Sequence, residues 1–265
     1  MNPQLDPVIH SFYAERFRED ERLTRSRHGQ LEFLRTQELL RRHLPAPPAR
    51  VLDVGGATGV HARWLAADGF SVHLVDPVPS HVEQAAAIGG FTAEVGDARA
   101  LAEADGGADV TLLLGPLYHL VAAEDRRRAL GEARRVTRRG GLVVAAAVSR
   151  YAGLLEFAGL GLLTESTQGE FLDHLATGIH HDDPNGFTNA YFHRAAELQQ
   201  EMLDAGLADV TVFGVEGPTT AALDNAAPER ADAVLAAAVR CARILESDPA
   251  VMETSQHFLA FGYSR

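Results

Sequence analysis

The 265-residue chain contains no lysine; all 24 of its basic residues are arginine. That absence excludes any mechanism built on a Schiff-base lysine or on the lysine of a phosphate-cradling loop. A single cysteine, Cys241, excludes an intrachain disulfide framework and any cysteine cluster around zinc or iron and sulfur, and in its alanine-rich surroundings it reads as packing. No run of eighteen apolar residues occurs, and the first thirty residues intersperse Arg and Glu without the apolar core of a signal peptide. A soluble, cytoplasmic protein is expected. Acidic residues outnumber basic ones, 36 to 24, for a formal charge of -12. Such a surface repels phosphate backbones and anionic lipid, so neither nucleic acid nor a membrane is an expected partner. What is present is enough apolar residue, 46%, for one sizeable core, and a single domain over residues 1–265 is the expectation.

Short apolar runs alternate with helical periods along the chain. Residues 5–43 have helical spacing, with Leu23, Leu31, Phe33, Leu34, Leu39 and Leu40 set among charges, and Pro45, Pro47 and Pro48 end it. Residues 1–45 are therefore expected as an N-terminal helical extension. Runs at 50–54, 71–75, 91–95, 109–114 and 142–148 read as strands, with helices at 61–68, 80–88 and 123–136 and another around Leu101. Ser80 and Glu83 have capping-box spacing at the start of the second helix. Strands alternating with helices mark a parallel sheet covered on both faces. After Val148 this rhythm breaks. Residues 150–193, with helical periods at 154–163 and 170–177 and the polar turn HHDDPNG, are expected as a helical lid insertion over the sheet edge. A helix at 195–205, a strand at 209–215, a helical insertion at 218–250 and a last strand at 257–263 complete the chain.

The segment RVLDVGGATGVHARWLA carries the sharpest chemical signal. A strand that turns at once into a helix across small residues lets main-chain N–H groups approach a polar ligand, and Gly55, Gly56 and Gly59 supply that path. Beyond them Asp76 closes the second strand, where a carboxylate can accept hydrogen bonds from ribose hydroxyls. Dinucleotide spacing fails, because Ala57 and Val60 stand where it needs glycine. Asp53, just before the first glycine, opposes a pyrophosphate and suits a cationic amine.

DVGGATG resembles motif I of the class I S-adenosylmethionine-dependent methyltransferases, whose usual form is acidic-x-Gly-x-Gly-x-Gly. Asp53, Gly55 and Gly59 match, Ala57 stands at the middle glycine, and Gly56 is an additional small residue. HLVD, ending at Asp76, resembles motif II, and Gly96-Asp97-Ala98 the motif after it. DVTLLLGPLYHL is similar to the strand-four segment and EARRVTRRGGLVV to the helix and turn before strand five. The resemblance covers residues 48–148, and 195–265 more loosely. It implies an α/β, Rossmann-like fold with a seven-stranded, mostly parallel sheet in the order 3-2-1-4-5-7-6, helices on both faces, and S-adenosylmethionine across the carboxyl ends of strands one, two and four. Asp53, Gly55, Gly56, Ala57 and Gly59 would then form the cofactor turn. Asp76 would bind the ribose and Asp97 the adenine amino group, with Pro77, Ala98 and Leu114 flanking them.

Methyl transfer from a sulfonium is an in-line substitution, so the protein must align the acceptor, exclude water and, where needed, remove a proton. Tyr118 and His119, just past strand four, are the candidate catalytic residues, the imidazole as base and the phenol as orienting group. No DPPY- or NPPY-like motif occurs, which disfavours nucleobase amino groups. In the lid, the cluster His174, His180, His181, Asp182, Asp183, Tyr191 and His193 offers His181 and Tyr191 as further catalytic candidates; no metal is expected there. In the N-terminal helices Tyr13 is a candidate shield for the cofactor and Arg35 a candidate partner for its carboxylate, while Arg22 reads as solvated. For each of these, ordinary packing or a solvated face is the competing account. The expected function is methyl transfer to an oxygen, nitrogen or activated carbon of a small molecule, by a chain acting alone or as a homodimer. The alternatives are a peptide or protein methyltransferase, and a non-catalytic S-adenosylmethionine-binding regulatory or scaffolding protein.

Overall fold

A computed structural model describes residues 7–13, 23, 26–183 and 187–265. Five strands run parallel: β1 (Arg50–Val54), β2 (Ser71–Asp76), β3 (Thr92–Val95), β4 (Ala108–Leu113) and β5 (Thr137–Val148). A two-stranded hairpin of β6 (Ile179–His180) and β7 (Ala190–Tyr191) stands apart from the main sheet. β8 (Leu207–Gly214) and β9 (His257–Ser264) return to it antiparallel, giving the order β3-β2-β1-β4-β5-β9-β8. This is the expected order, with the sixth and seventh strands of the sheet now numbered β8 and β9. The helices are α1 (Pro7–Ser11), α2 (Arg27–His43), α3 (Val60–Ala67), α4 (Pro79–Ile88), α5 (Pro116–His119), α6 (Ala123–Val136), α7 (Ala152–Gly159), α8 (Gln168–Thr177), α9 (Ala195–Asp204), α10 (Thr220–Asp224) and α11 (Ala231–Leu245). Among the described residues no helix is long and apolar enough to cross a membrane.

Strand alternation sorts the core into two layers. Leu52 and Val54 of β1, with Val143, Ala145 and Ala147 of β5, pack with Leu130 and Ala133 of α6 and Leu198 and Met202 of α9. Val51, with Leu142, Val144 and Ala146, packs with Leu39 and Leu40 of α2, Leu65 of α3 and Ala85 of α4. Burial on both faces is why the central strands read as unbroken apolar runs.

Two local expectations fail for identifiable reasons. Pro79 occupies the first turn of α4 and Val78 is its N-cap, so Ser80 and Glu83 lie inside the helix and form no capping box. No helix forms around Leu101. The Leu101 N–H is taken by Glu132 of α6 and its carbonyl by Arg135, which pins the segment as a loop.

α2 starts at Ser26, whose hydroxyl accepts from the Gly29 N–H at 3.1 Å, and ends with Arg41, Arg42 and His43 at its carbonyl pole. Its buried row includes an arginine. Arg35 has no exposed surface and donates to the Val215 carbonyl and to the carboxylates of Glu38 and Glu246. It ties α2 to the end of α11 and to the segment after β8, and does not line the cleft described below, so the expectation that it pairs with a cofactor carboxylate is corrected. Removing one partner from a buried ionic cluster is costly. Arg35→Met is expected to lower the unfolding free energy by about 3 kcal/mol in urea titrations.

Candidate active site

The carboxyl ends of β1, β2 and β4 open onto a cleft of about 1010 Å³, part of it open to solvent. Its floor is the turn after β1. Gly55 donates to the Val75 carbonyl at 2.7 Å and has φ +72°; a Cβ there would lie 2.7 Å from the Pro116 ring, so only glycine fits. A Cβ on Gly56 would lie 2.6 Å from Asp53 Oδ2. Gly59 sits behind the cleft as the N-cap of α3. Ala57, at the middle-glycine position, also takes a left-handed conformation, φ +47°. That region costs an L-residue about 1–2 kcal/mol. The Ala57 N–H donates to Asp76 Oδ2 at 2.9 Å, a charge-assisted bond that holds the strained turn.

Three acidic residues face this floor in different states. Asp53 is almost fully buried, and neither of its carboxylate oxygens has a hydrogen-bond partner. Burial, and then the neighbouring charge of Asp76, push its pKa up to about 7. Asp76 is satisfied: Oδ1 accepts from the Val78 N–H at 2.9 Å and from His81 Nδ1 at 3.3 Å, and Oδ2 from Ala57. Asp97 is gripped by Arg99 through Nε and Nη2 at 2.9 and 2.7 Å, and Arg99 also reaches Asp125. Pro77, Ala98 and Leu114 also line the cleft.

Beyond Leu114 the walls turn aromatic. α5, begun by Pro116, presents Tyr118 and His119. Tyr13, from the N-terminal segment, lines the same cleft and is hydrogen-bonded to His119 Nε2 at 2.7 Å. Phe187 packs against His119 and Phe12, with ring centroids 5.6 Å apart in each case. Desolvation among these rings pushes the His119 pKa down to about 3, with the Asn189 main chain opposing it, so the imidazole is neutral at ordinary pH.

The structure does not bring every expected residue here. His181 is exposed in the turn after β6. Tyr191 lies outside the cleft, with the Arg126 guanidinium stacked 3.7 Å over its ring and Arg150 bonded to its hydroxyl at 3.0 Å. Both are corrections: the polar lid residues serve the turn and its anchoring. Arg22 falls outside the described residues. Two residues of the site went unanticipated. His81 lies five positions beyond Asp76 on the first helical turn after β2, a place that always borders the carboxyl edge of a parallel sheet. Phe187 follows no periodicity and had no signal.

Residues 51–141 match the family described as methyltransferase domain. Those residues carry the likeness to a methyltransferase domain. A search of curated proteins finds no match to the chain. Among solved structures, a S-adenosylmethionine-dependent methyltransferase from Methanosarcina mazei is 16% identical, with TM-score 0.60, covering 85% of this chain and 96% of that one. Phosphoethanolamine N-methyltransferase 2 of Haemonchus contortus, solved with S-adenosyl-L-methionine, is 16% identical, with TM-score 0.52, covering 88% and 52%. The (4+2) cyclase SpnF is 20% identical, with TM-score 0.55, covering 88% and 81%. At such identities only the fold is shared, and a cyclase among the neighbours shows that the fold alone leaves the reaction open.

The residues of the cleft fit S-adenosylmethionine as a ligand. Two buried, unpartnered carboxylate oxygens on Asp53 call for a cationic donor such as an α-ammonium, and the glycine turn leaves main chain bare beside them. Two outcomes are expected. Ala57→Gly relieves the left-handed strain and stabilises the protein by about 1 kcal/mol in urea unfolding. Because the Asp53 pKa is raised on folding, its contribution is full below the ordinary value of 3.8 and is lost as pH rises through about 7. Thermal unfolding between pH 5 and 8 is therefore expected to lose stability with rising pH in the wild type and to be flatter in Asp53→Asn.

Proposed function

We propose that the protein transfers the methyl group of S-adenosylmethionine to a small molecule seated among Tyr13, Leu23, Tyr118, His119 and Leu120. The observation that carries this is the N-terminal segment: Ile9, Tyr13 and Leu23 line the same cleft as the carboxyl edge of the sheet. An acceptor end walled by the chain's own apolar and aromatic side chains suits a small molecule better than an extended polymer. In this reading the N-terminal extension and residues 150–193 belong to one domain with the sheet, the insertion supplying Phe187 as a rear wall. Asp53 receives the cofactor's ammonium, Asp76 its ribose and Asp97 its adenine, beside Gly55, Gly56 and Ala57.

When bound, S-adenosylmethionine supplies a methyl group on a positively charged sulfur, which an aligned nucleophile displaces. The chain contributes alignment and exclusion of water. His119, with its pKa near 3 and its Nε2 engaged with Tyr13, is too weak a base to ionise a phenol or an alcohol. It acts as an orienting group. This favours an acceptor atom that is nucleophilic without first losing a proton, a neutral amine nitrogen first among them. The Haemonchus contortus relative, named for an amine acceptor, shows the same fold in that service.

Calorimetry is expected to show binding of S-adenosylmethionine and S-adenosylhomocysteine and none of NAD; preference for NAD would overturn the assignment. With labelled S-adenosylmethionine and a panel of small amines and phenols, label is expected in amines. His119→Ala and Tyr13→Phe are expected to lower turnover about 10-fold to 100-fold with S-adenosylhomocysteine affinity kept within about two-fold. Transfer to phenols alone, or a rate governed by an ordinary imidazole ionisation that His119→Ala abolishes, would refute the orienting role.

A further inference from the structure

The Asp76 carboxylate has about four lone-pair positions. Three are already used by this chain: Oδ1 accepts from the Val78 N–H and from His81 Nδ1, and Oδ2 from the Ala57 N–H. All three donors are structural. The Val78 N–H is the one that opens α4, the Ala57 N–H is fixed by the left-handed turn, and His81 is 5% exposed. One acceptor position is left on Oδ2. A ribose presents two vicinal hydroxyls, and leaving the second without an acceptor inside a cleft forfeits a hydrogen bond it had in water.

His81 lines the cleft and supplies what is missing. In the neutral tautomer whose proton is on Nδ1, facing the Asp76 carboxylate, Nε2 is an acceptor, and the only hydrogen bond of this ring among the described residues is the one to Asp76. The ring is held from the other side by Tyr13, edge to face at 5.7 Å between centroids. Accepting the ribose role of Asp76 proposed above, we propose that His81 is a second ribose-binding residue: its Nδ1–H positions the Asp76 carboxylate and its Nε2 accepts from one of the two ribose hydroxyls. Asp76 then binds one hydroxyl and His81 the other, in place of a carboxylate taking both.

The test is calorimetry with S-adenosylhomocysteine and its 2′-deoxy and 3′-deoxy analogues, which needs no methyl acceptor. Wild-type protein is expected to lose about 10-fold in affinity on removal of the hydroxyl that His81 receives. In His81→Ala, S-adenosylhomocysteine binding is expected to weaken about 10-fold or more, and the penalty for that same deoxy analogue to shrink to within about two-fold. His81→Asn keeps a donor near the Nδ1 position and lacks Nε2. It is expected to regain part of the S-adenosylhomocysteine affinity while remaining insensitive to the analogue, a split that a merely structural role would not give. It also serves if the alanine variant fails to fold. Undiminished deoxy penalties in both variants, or S-adenosylhomocysteine binding equal to wild type in His81→Ala, would overturn the role of His81 and leave the cofactor assignment standing. Failure of the wild type to bind S-adenosylhomocysteine would overturn the cofactor assignment itself.

Discussion

A carboxylate buried without a partner is the constraint on which the cleft is organised. Taking an ionised group out of water with no donor to meet it costs several kcal/mol, and Asp53 meets that cost by holding its proton up to about pH 7. It remains buried because β1 is clasped between β2 and β4, whose apolar side chains exclude water from the centre of the sheet. The turn that follows must then be bare. Any side chain on Gly56 would collide with the carboxylate, and one on Gly55 with Pro116. Asp76, which adds its charge to the difficulty, is in turn steadied by Ala57, Val78 and His81. One unsatisfied group therefore sits among satisfied ones.

The insertion that follows β5 is held to the rest of the fold by ion pairs. Arg126 is buried over the Tyr191 ring and paired with Glu201 at 2.9 Å, while Arg150 joins Tyr191 and Glu197, and His193 joins Glu201 at 3.2 Å. Buried ion pairs contribute little net stability, but they admit few alternative geometries. Here they fix β7 against α9 and the end of β5, and so set where Asn189 and Phe187 meet α5. The small apolar cluster of Val148, Ala152, Ala190 and Phe192 beneath the insertion would not by itself select one orientation.

The parallel sheet and the glycine turn were legible because they depend on short-range rules, whereas the strand order was implied by the resemblance to class I methyltransferases. Apolar runs spaced by helical periods define parallel strands, and a glycine turn after the first strand with an acid at the end of the second marks a ligand at the carboxyl edge. Tyr118 and His119 were legible as candidates by their place after the fourth strand, and Tyr13 only as an aromatic residue of the N-terminal helices. Arg35, Tyr191 and His181 were not correctly placed, because an arginine or a tyrosine looks the same in sequence whether it faces a ligand or closes an internal network. Which it does depends on carboxylates far away in the chain, such as Glu246 for Arg35.

The sequence by itself determined the fold class and the position of the cleft at the carboxyl edge of the sheet, since these follow from hydrophobic period and backbone freedom at glycine. Only tertiary structure decided the protonation of the groups that line it. Asp53 and His119 differ from their ordinary selves because of what surrounds them: burial raises one pKa and lowers the other, each toward its neutral form. Desolvation is a property of the packed neighbourhood, drawn here from β2, β4, α5 and the N-terminal segment together, and no local stretch of residues encodes it.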